Sequence, residues 1–307
     1  RTQGGGCGRA LGVTGMNTCL DCLPCIFRQT LDAARRVSDD PAFHERVARQ
    51  VAAWIHAADL KESPPVMAQR LHRFLKGVTG IEDPYAAAKA RDNALALSLL
   101  PELRERLARS PEPFALAVSL AIAGNLIDLG PKSDLTADEV VGSIRRVEEA
   151  PFSGDVAALR RRAASAHSIL YLADNAGEIV LDRLLIEALG SERVTVAVRG
   201  APVINDATLA DAQTAGLHEL VRVISNGADV PGTVLSECSA EFREHFDRAD
   251  LVIAKGQGNF ETLSDAPRDI CFLFKVKCPV IAARVGLALG TQAMVWLQGE
   301  RGSKAGL

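Results

Sequence analysis

Two acidic motifs in the second half of the chain each follow a short apolar run. Asp174 and Asn175 come after the run at 168–172, and Asp206 comes after the run at 194–198. Carboxylate and amide oxygens are the ligands that hard cations such as Mg²⁺ prefer. If the two runs are neighbouring parallel strands, their carboxyl ends meet at one edge of a sheet. The three side chains then predict a site for one divalent cation.

The residues after Asn175 add a second possibility. Gly177 and Glu178 lead into a helix predicted over 177–189, and the N-terminus of a helix carries partial positive charge. An anion such as phosphate could be held there. The structural alternative stays open, because Asp and Asn often cap helices and Gly is common in turns. The same alternative applies to Asp206, at the start of a helix predicted over 206–215.

Three further polar motifs follow apolar runs at 220–224, 251–254 and 270–274. Their candidate phosphate- or substrate-binding residues are Ser225 and Asn226, then Lys255, Gly256, Gln257, Gly258 and Asn259, then Lys275 or Lys277. Paired glycines allow a backbone to approach an anion closely, and lysine adds positive charge. Plain turns and surface lysines are the alternatives. The Gly-x-Gly is not a dinucleotide fingerprint, because Glu261 stands where the third glycine would be.

A motif in the first half of the chain carries Asn125 and Asp128. At i and i+3 they would share a helix face, from which they could line the cleft or simply cap a helix end.

The elements that must position these residues divide the chain near residue 150. Residues 16–150 contain long stretches without glycine, rich in Ala, Leu, Arg and Glu, and predict an all-helical domain of six or seven helices. In 151–307, apolar runs alternate with helical stretches, the last of them at 237–247. This alternation predicts an α/β domain with a three-layer α-β-α, Rossmann-like parallel sheet.

Residues 1–15 hold six of the 25 glycines and precede Met16, so we interpret them as an appended or disordered segment without a secretory signal. The net charge of −3 argues against a nucleic-acid partner, and the absence of 18 consecutive apolar residues argues against a membrane span. The six later cysteines do not form the pattern of a disulfide framework, so we expect a cytoplasmic location.

In order, the motifs resemble those of the damage-control phosphatases, a metal-dependent family formerly catalogued as a domain of unknown function. The motifs are Ala-Gly-Asn-x-Ile-Asp, Asp-Asn-Ala-Gly-Glu, Asn-Asp-Ala-Thr, Lys-Gly-Gln-Gly-Asn-Phe-Glu and Phe-Lys-x-Lys-Cys. The Cys-x-x-Cys near the N-terminus is similar to that of a branch with many archaeal and bacterial members. The resemblance covers nearly all of the chain from Met16 onward.

The resemblance implies a helical domain before an α-β-α domain, and hydrolysis of phosphate monoesters such as sugar phosphates or damaged phosphometabolites. It implies Asp174, Asn175 and Asp206 as ligands of Mg²⁺, Mn²⁺, Co²⁺ or Ni²⁺, and Lys255 or Lys277 as a contact of the phosphate. The expected partner is therefore a small phosphorylated metabolite. The oligomeric state stays open.

Cys19, Cys22 and Cys25 form a second candidate metal site, for Zn or Fe. Such sites usually have four ligands, and Cys278 is a speculative fourth. Free cysteines packed on a first helix are the alternative.

Two other functions are weighed against a phosphatase. An S-adenosylmethionine-dependent carboxyl methyltransferase would suit a Rossmann-like sheet, but no glycine-rich loop follows the first predicted strand, and methyl transfer does not need oxygen ligands for a metal. A non-enzymatic module that binds a metal or a cluster through the cysteines is the other. A Gly-x-Ser-x-Gly nucleophile elbow is not visible in the sequence.

Overall fold

The computed structural model describes residues 16–127 and 137–298, in which a series of helices precedes a seven-stranded sheet. The helices of the described residues are α1 (Cys22–Val37), α2 (Pro41–His56), α3 (Pro64–Thr79), α4 (Ala86–Arg109), α5 (Pro113–Ala123), α6 (Ala137–Arg145), α7 (Val156–Ser165), α8 (Glu178–Leu189), α9 (Leu209–Thr214), α10 (Ala240–Arg248), α11 (Gly256–Leu263) and α12 (Pro279–Val285). The strands are β1 (Phe152–Ser153), β2 (Ile169–Leu172), β3 (Val194–Val198), β4 (Arg222–Ser225), β5 (Leu251–Lys255), β6 (Ile270–Lys275) and β7 (Gln292–Leu297).

Local capping chemistry sets where several helices begin. Proline occupies the first position of α2, α3 and α5, where its missing N–H has no intrahelical partner to lose. The carboxylate of Asp40 also accepts hydrogen bonds from the first backbone N–H groups of α2. A capping box formed by Thr208 and Asp211 starts α9 at Leu209, three residues later than the sequence predicts.

The strand order in the sheet is β1-β7-β6-β5-β2-β3-β4. The five predicted strands are confirmed as β2 to β6, and neighbours among them are parallel. The sequence analysis did not predict β7, which returns antiparallel to β6. β2 lies between β3 on one side and β5 on the other, so the chain changes direction across the sheet at this point. Ligands of open α/β sheets bind outside the carboxyl ends of the strands at such a switch point.

Both faces of the sheet are buried, and successive side chains of each strand enter different cores. Ile169 and Tyr171 of β2 pack into a core with α4, α5 and α8, whereas Leu170 and Leu172 pack into a core with α10 and α11. The described residues therefore form a mixed α/β fold with helices on both faces of a seven-stranded sheet.

The helices that precede the sheet do not share one core. Helices α1, α2 and α3 form a separate hydrophobic cluster around Val47, Val51 and Leu75. Ile204, from the loop after β3, packs against this cluster. In contrast, α5 packs on α8 and belongs to the core of the sheet. Before β1 the described residues contain helices and turns but no strand, and the domain boundary near residue 150 stays a prediction. No helix in the described ranges is long and apolar enough to cross a membrane.

Candidate active site

A cavity of about 220 Å³ opens at the carboxyl ends of β2 and β3. Seven residues predicted from the sequence line it: Asn125, Asp174, Asn175, Asp206, Gln257, Gly258 and Lys277. Its volume lies below the 300–1,000 Å³ typical of drug-sized ligand sites, so it suits a small metabolite.

Pairing between β2 and β3 brings the two acidic motifs together, as the sequence predicts. Beyond the strands, Asn175 and Asp206 form an isolated antiparallel bridge, and the backbone N–H of Ala207 donates to the carbonyl of Asp174 over 2.8 Å. Neither carboxylate is a helix cap, because α8 begins after Gly177 and α9 after Thr208. The two carboxylates are therefore held at the cavity by sheet geometry rather than by capping.

Arg199, the residue after β3, contacts both carboxylates. Its Nε donates to Oδ2 of Asp206 over 2.6 Å, and its Nη2 lies 3.5 Å from Oδ1 of Asp174. The arginine side chain is 2% exposed. The sequence places Arg199 in a motif but gives no sign that it is a buried partner of both acids.

Burial dominates the electrostatics of these acids. It raises the pKa of Asp174 well above its ordinary value, and the nearby charges of Asp206 and Glu178 add to the rise. Burial also raises the pKa of Asp206 to about 6, against the lowering effect of Arg199. Burial thus favours the neutral forms of both acids, and a cation bound between them would favour their charged forms.

The donor set fits a hard divalent cation. Nδ2 of Asn175 donates to Asp174 over 2.9 Å, which leaves the amide oxygen of Asn175 as the atom that could coordinate a cation. Two carboxylates and an amide oxygen match the preferences of Mg²⁺ or Mn²⁺. The candidate site therefore combines two carboxylates with an amide, and the residues 16–127 and 137–298 contain no group of three or more His, Cys, Asp or Glu side chains that could hold a metal ion.

The glycine motif after β5 forms the first turn of α11, a helix that the sequence analysis did not predict. Gly256 has a φ of +78°, and a Cβ at this position would lie 1.9 Å from Oδ2 of Asp174. Gly258 lines the cavity, where a Cβ would lie 2.2 Å from the carbonyl oxygen of Pro231. The glycines therefore allow the helix to pack directly against the acidic site.

Lys255 lies under the site and not in the cavity. Its Nζ is fully buried and donates to Glu178 and Asp182 over 2.6 Å each, and to the carbonyl of Ala121 over 2.8 Å. Burial lowers the pKa of Lys255, but the two carboxylates outweigh it and raise the pKa above its ordinary value. The structure thus gives Lys255 a supporting position in place of the expected contact with phosphate.

Lys277 contributes a positive charge to the cavity wall. Its Nζ donates to the carbonyl of Asn125 over 3.3 Å, and its backbone N–H donates to Oε1 of Gln257 over 2.6 Å. Lys275 does not line the cavity. Lys277 follows the end of β6 at Lys275, and of these two lysines it is the one that lines the cavity.

Asn125 connects the wall of the cavity to the buried carboxylates. Its Nδ2 donates to Oε2 of Glu178 over 2.8 Å and lies 3.4 Å from Asp174. The backbone N–H of Gly177 donates to Oδ1 of Asn93 over 2.7 Å, which ties α8 to α4. Asp128, the other residue of this predicted motif, lies outside the described residues.

Three predicted site residues do not line the cavity and serve as backbone supports. Ser225 Oγ accepts from the N–H of Gly227, and Asn226 Oδ1 accepts from the N–H groups of Gly200 and Ala228. The fully buried Asn259 accepts from Thr233 Oγ1 and donates to the carbonyl of Lys255.

The cysteines do not share one helix. Cys19 precedes α1, and its carbonyl accepts from the N–H of Cys22, the first residue of that helix. Burial raises the pKa of Cys22 to about 11, and the charges of Glu261, Cys278 and Cys25 act in the same direction. Cys278 is thus close enough to Cys22 to affect its titration, but the metal site proposed for the cysteines stays a prediction.

Several cavity residues were missed in the sequence, and three of them come from α1. Gln29, Asp32 and Arg36 of α1 line the cavity together with Tyr85, Ile204 and Asn205. The spacing of the three α1 residues places them on one helix face, which was a usable signal. Ile204 has a φ of +46°, unusual for a β-branched residue and typical of a position fixed by its surroundings.

Three curated proteins are similar to the chain over most of their length. The chain is 34% identical over 290 residues to an uncharacterized protein of Methanocaldococcus jannaschii, which covers 90% of the chain and 94% of that protein. It is 33% identical to a damage-control phosphatase of Archaeoglobus fulgidus, over 88% of the chain and 95% of that protein. It is 34% identical to a damage-control phosphatase of Pyrococcus horikoshii, over 88% of the chain and 94% of that protein.

The fold is also similar to a solved structure. The crystal structure of a DUF89 family protein from Pyrococcus horikoshii superposes with a TM-score of 0.82 at 30% identity, over 92% of the chain and all of that structure. The model of the damage-control phosphatase ARMT1-like domain matches residues 18–293. The chain therefore belongs to the damage-control phosphatase ARMT1-like family.

Proposed function

We propose that the protein is a metal-dependent phosphatase that hydrolyses phosphate monoesters of small metabolites. One observation carries the proposal: Asp174, Asn175, Asp206 and Lys277 line a single cavity in a chain of the damage-control phosphatase family. The two relatives named as phosphatases support the reaction class. The expected partner is a small phosphorylated metabolite, not a nucleic acid or a membrane. The proposed cytoplasmic location rests on the pattern of the cysteines.

Asp174, Asn175 and Asp206 would hold one divalent cation, Mg²⁺, Mn²⁺, Co²⁺ or Ni²⁺. When bound, such a cation neutralises phosphate oxygens and positions a water molecule for attack on phosphorus. A second site at the cysteines, for Zn or Fe, remains part of the hypothesis and is not required for hydrolysis.

The chain's own residues have distinct tasks in this proposal. The exposed ammonium group of Lys277 would bind a phosphate oxygen and offset charge that develops on the transferring group. Arg199 would keep Asp206 in position through the 2.6 Å hydrogen bond from Nε. Asp174, the carboxylate directly after β2, is also the candidate nucleophile or base.

The test is hydrolysis of p-nitrophenyl phosphate by protein treated with a chelator and then supplied with each of the four metals. We expect turnover to depend on the added metal and to be lost in Asp174→Asn, which preserves the size of the side chain. Asp247→Asn is the matched control, because Asp247 is exposed on α10. Undiminished hydrolysis by a folded Asp174→Asn variant would contradict the assignment, and circular dichroism would establish that the variant is folded.

A further inference from the structure

The wall of the cavity opposite the sheet comes from α1 and from the residue that precedes α4. Gln29, Asp32 and Arg36 follow one another at helical spacing and line the cavity, and Tyr85 completes this wall. We define these four residues as the outer wall. None of them belongs to the candidate metal ligands, so the outer wall has no assigned role in the proposed hydrolysis.

Arg36 is held in a defined orientation at this wall. Its guanidinium carbon lies 4.5 Å from the centre of the Tyr85 ring, and the tyrosine is 7% exposed. A cation–π contact with a buried ring restrains the guanidinium group at this wall and uses none of its N–H groups as hydrogen-bond donors. Arg36 is thus preorganised before any ligand binds.

The charge of Arg36 lacks a protein partner in the part of the chain that the structure describes. No carboxylate of residues 16–127 or 137–298 forms an ion pair with it, and its buried Nε has no hydrogen-bond partner there. Asp32, one turn earlier, lies 3.6 Å from Arg35 instead. A half-buried guanidinium without a partner is costly, and a bidentate anion is the ligand that best satisfies it.

We propose that the outer wall binds the leaving group of the substrate and that Arg36 recognises a second anionic group on it, a carboxylate or a further phosphate. This inference rests on the proposed phosphatase function, in which the transferred phosphate lies at Asp174, Asn175, Asp206 and Lys277. Gln29 and Asp32 would bind hydroxyl groups of the same leaving group. The preferred substrates are then small hydroxylated phosphate monoesters with a second negative charge.

The test compares two substrates that differ in one group, 3-phosphoglycerate with a carboxylate and glycerol 3-phosphate with a hydroxymethyl group. We expect the wild-type protein with Mn²⁺ to show a kcat/KM about 10- to 100-fold higher for 3-phosphoglycerate, the range for one charged hydrogen-bonded contact. In Arg36→Gln this ratio should fall to near one. Arg36→Lys, which keeps the charge without the planar fork, should show an intermediate ratio.

Arg46→Gln is the matched control, because Arg46 also stacks on an aromatic ring, that of Phe43 at 5.7 Å, but does not line the cavity. It should keep the wild-type ratio. A ratio near one in the wild-type protein would overturn the proposal, and so would an Arg36→Gln variant that slows both substrates equally. The latter result would assign Arg36 to the transferred phosphate or to structure.

Failure of the phosphatase proposal can be distinguished from failure of the outer-wall proposal. If p-nitrophenyl phosphate is hydrolysed but 3-phosphoglycerate and glycerol 3-phosphate have equal kcat/KM, only the outer-wall proposal is wrong. If no ester is hydrolysed with any metal, the phosphatase proposal is wrong, and calorimetric titration of the same two compounds with Mn²⁺ still tests the outer wall. Tighter binding of 3-phosphoglycerate that Arg36→Gln removes would support it, and equal affinities would overturn it.

Discussion

Nε of Arg199 donates to Oδ2 of Asp206 over 2.6 Å, and both side chains are almost completely buried. The guanidinium group also reaches within 3.5 Å of Asp174, so one cation lies beside both acids of the candidate metal site. Removal of one partner from a buried pair leaves an uncompensated charge, which is more costly than loss of the interaction itself.

Arg199→Met should therefore lower the free energy of unfolding by about 3–5 kcal/mol and reduce kcat/KM for p-nitrophenyl phosphate by about 100-fold or more. Urea denaturation and steady-state kinetics would measure the two effects. Arg222→Met is the control, since Arg222 pairs with Glu241 at the surface and such pairs contribute about 0–1 kcal/mol. Equal stabilities of the two variants would contradict the role given to Arg199.

Gly256→Ala should damage the site more than the fold. The added methyl group would overlap the carboxylate of Asp174, so we expect kcat/KM to fall by about 100-fold, as for other displacements of about 1 Å at a reacting centre. Gly286→Ala has a similar positive φ but no atom within 4 Å of its Cβ, and should cost about 1 kcal/mol of stability without loss of activity. If the two variants keep the same activity, Asp174 tolerates displacement and the packing argument is wrong.

Lys255→Met tests whether the lysine supports the site or contacts substrate. Glu178 and Asp182 would lose their shared cation inside the protein, so the free energy of unfolding should drop by about 3–5 kcal/mol. Lys76→Met, at the surface, should change it by less than about 1 kcal/mol. A Lys255→Met protein of wild-type stability with a raised KM would restore the expectation that Lys255 binds phosphate.

Glu261 should make stability depend on pH. Burial raises its pKa from 4.5 to about 7, so the folded chain binds a proton in this range that the unfolded chain releases. Stability from this group is fully present below pH 4.5 and is lost as the pH rises to about 7. Because Glu261 is only half-buried, we expect the free energy of unfolding to fall by at most about 1 kcal/mol per pH unit.

The measurement for Glu261 is urea denaturation from pH 4.5 to 8 for the wild-type protein and Glu261→Gln. The difference in unfolding free energy between them should change over this window and become constant above it. Glu244→Gln, at an exposed position, should follow the wild-type curve. Parallel curves for all three proteins would show that Glu261 does not take up a proton on folding.

Local patterns predict the central strands and the acidic pair well. The buried parallel strands have continuous apolar runs, and β2 and β3 begin and end within one residue of their predicted limits. Because these strands are neighbours, the meeting of Asp174 and Asp206 follows from the order of the motifs. The acidic part of the site can therefore be predicted from the sequence once the order of the strands is known.

The features that were missed depend on tertiary packing. α11 begins with Gly256 and Gly258, which disfavour a helix locally, and it forms because the glycines fit under Asp174 and Pro231. β7 was not predicted as a strand, although it pairs antiparallel with β6. The outer wall was missed because contact between α1 and the sheet edge involves residues more than 100 positions apart.

The loops after β2 and β3 supply the acids of the cavity, whereas α1 and Tyr85 supply its outer wall. If the outer wall binds the leaving group, mutations of its residues on α1 would alter which molecules are accepted without disturbing the carboxylates. Grafting this helix between relatives would be a direct route to altered selectivity.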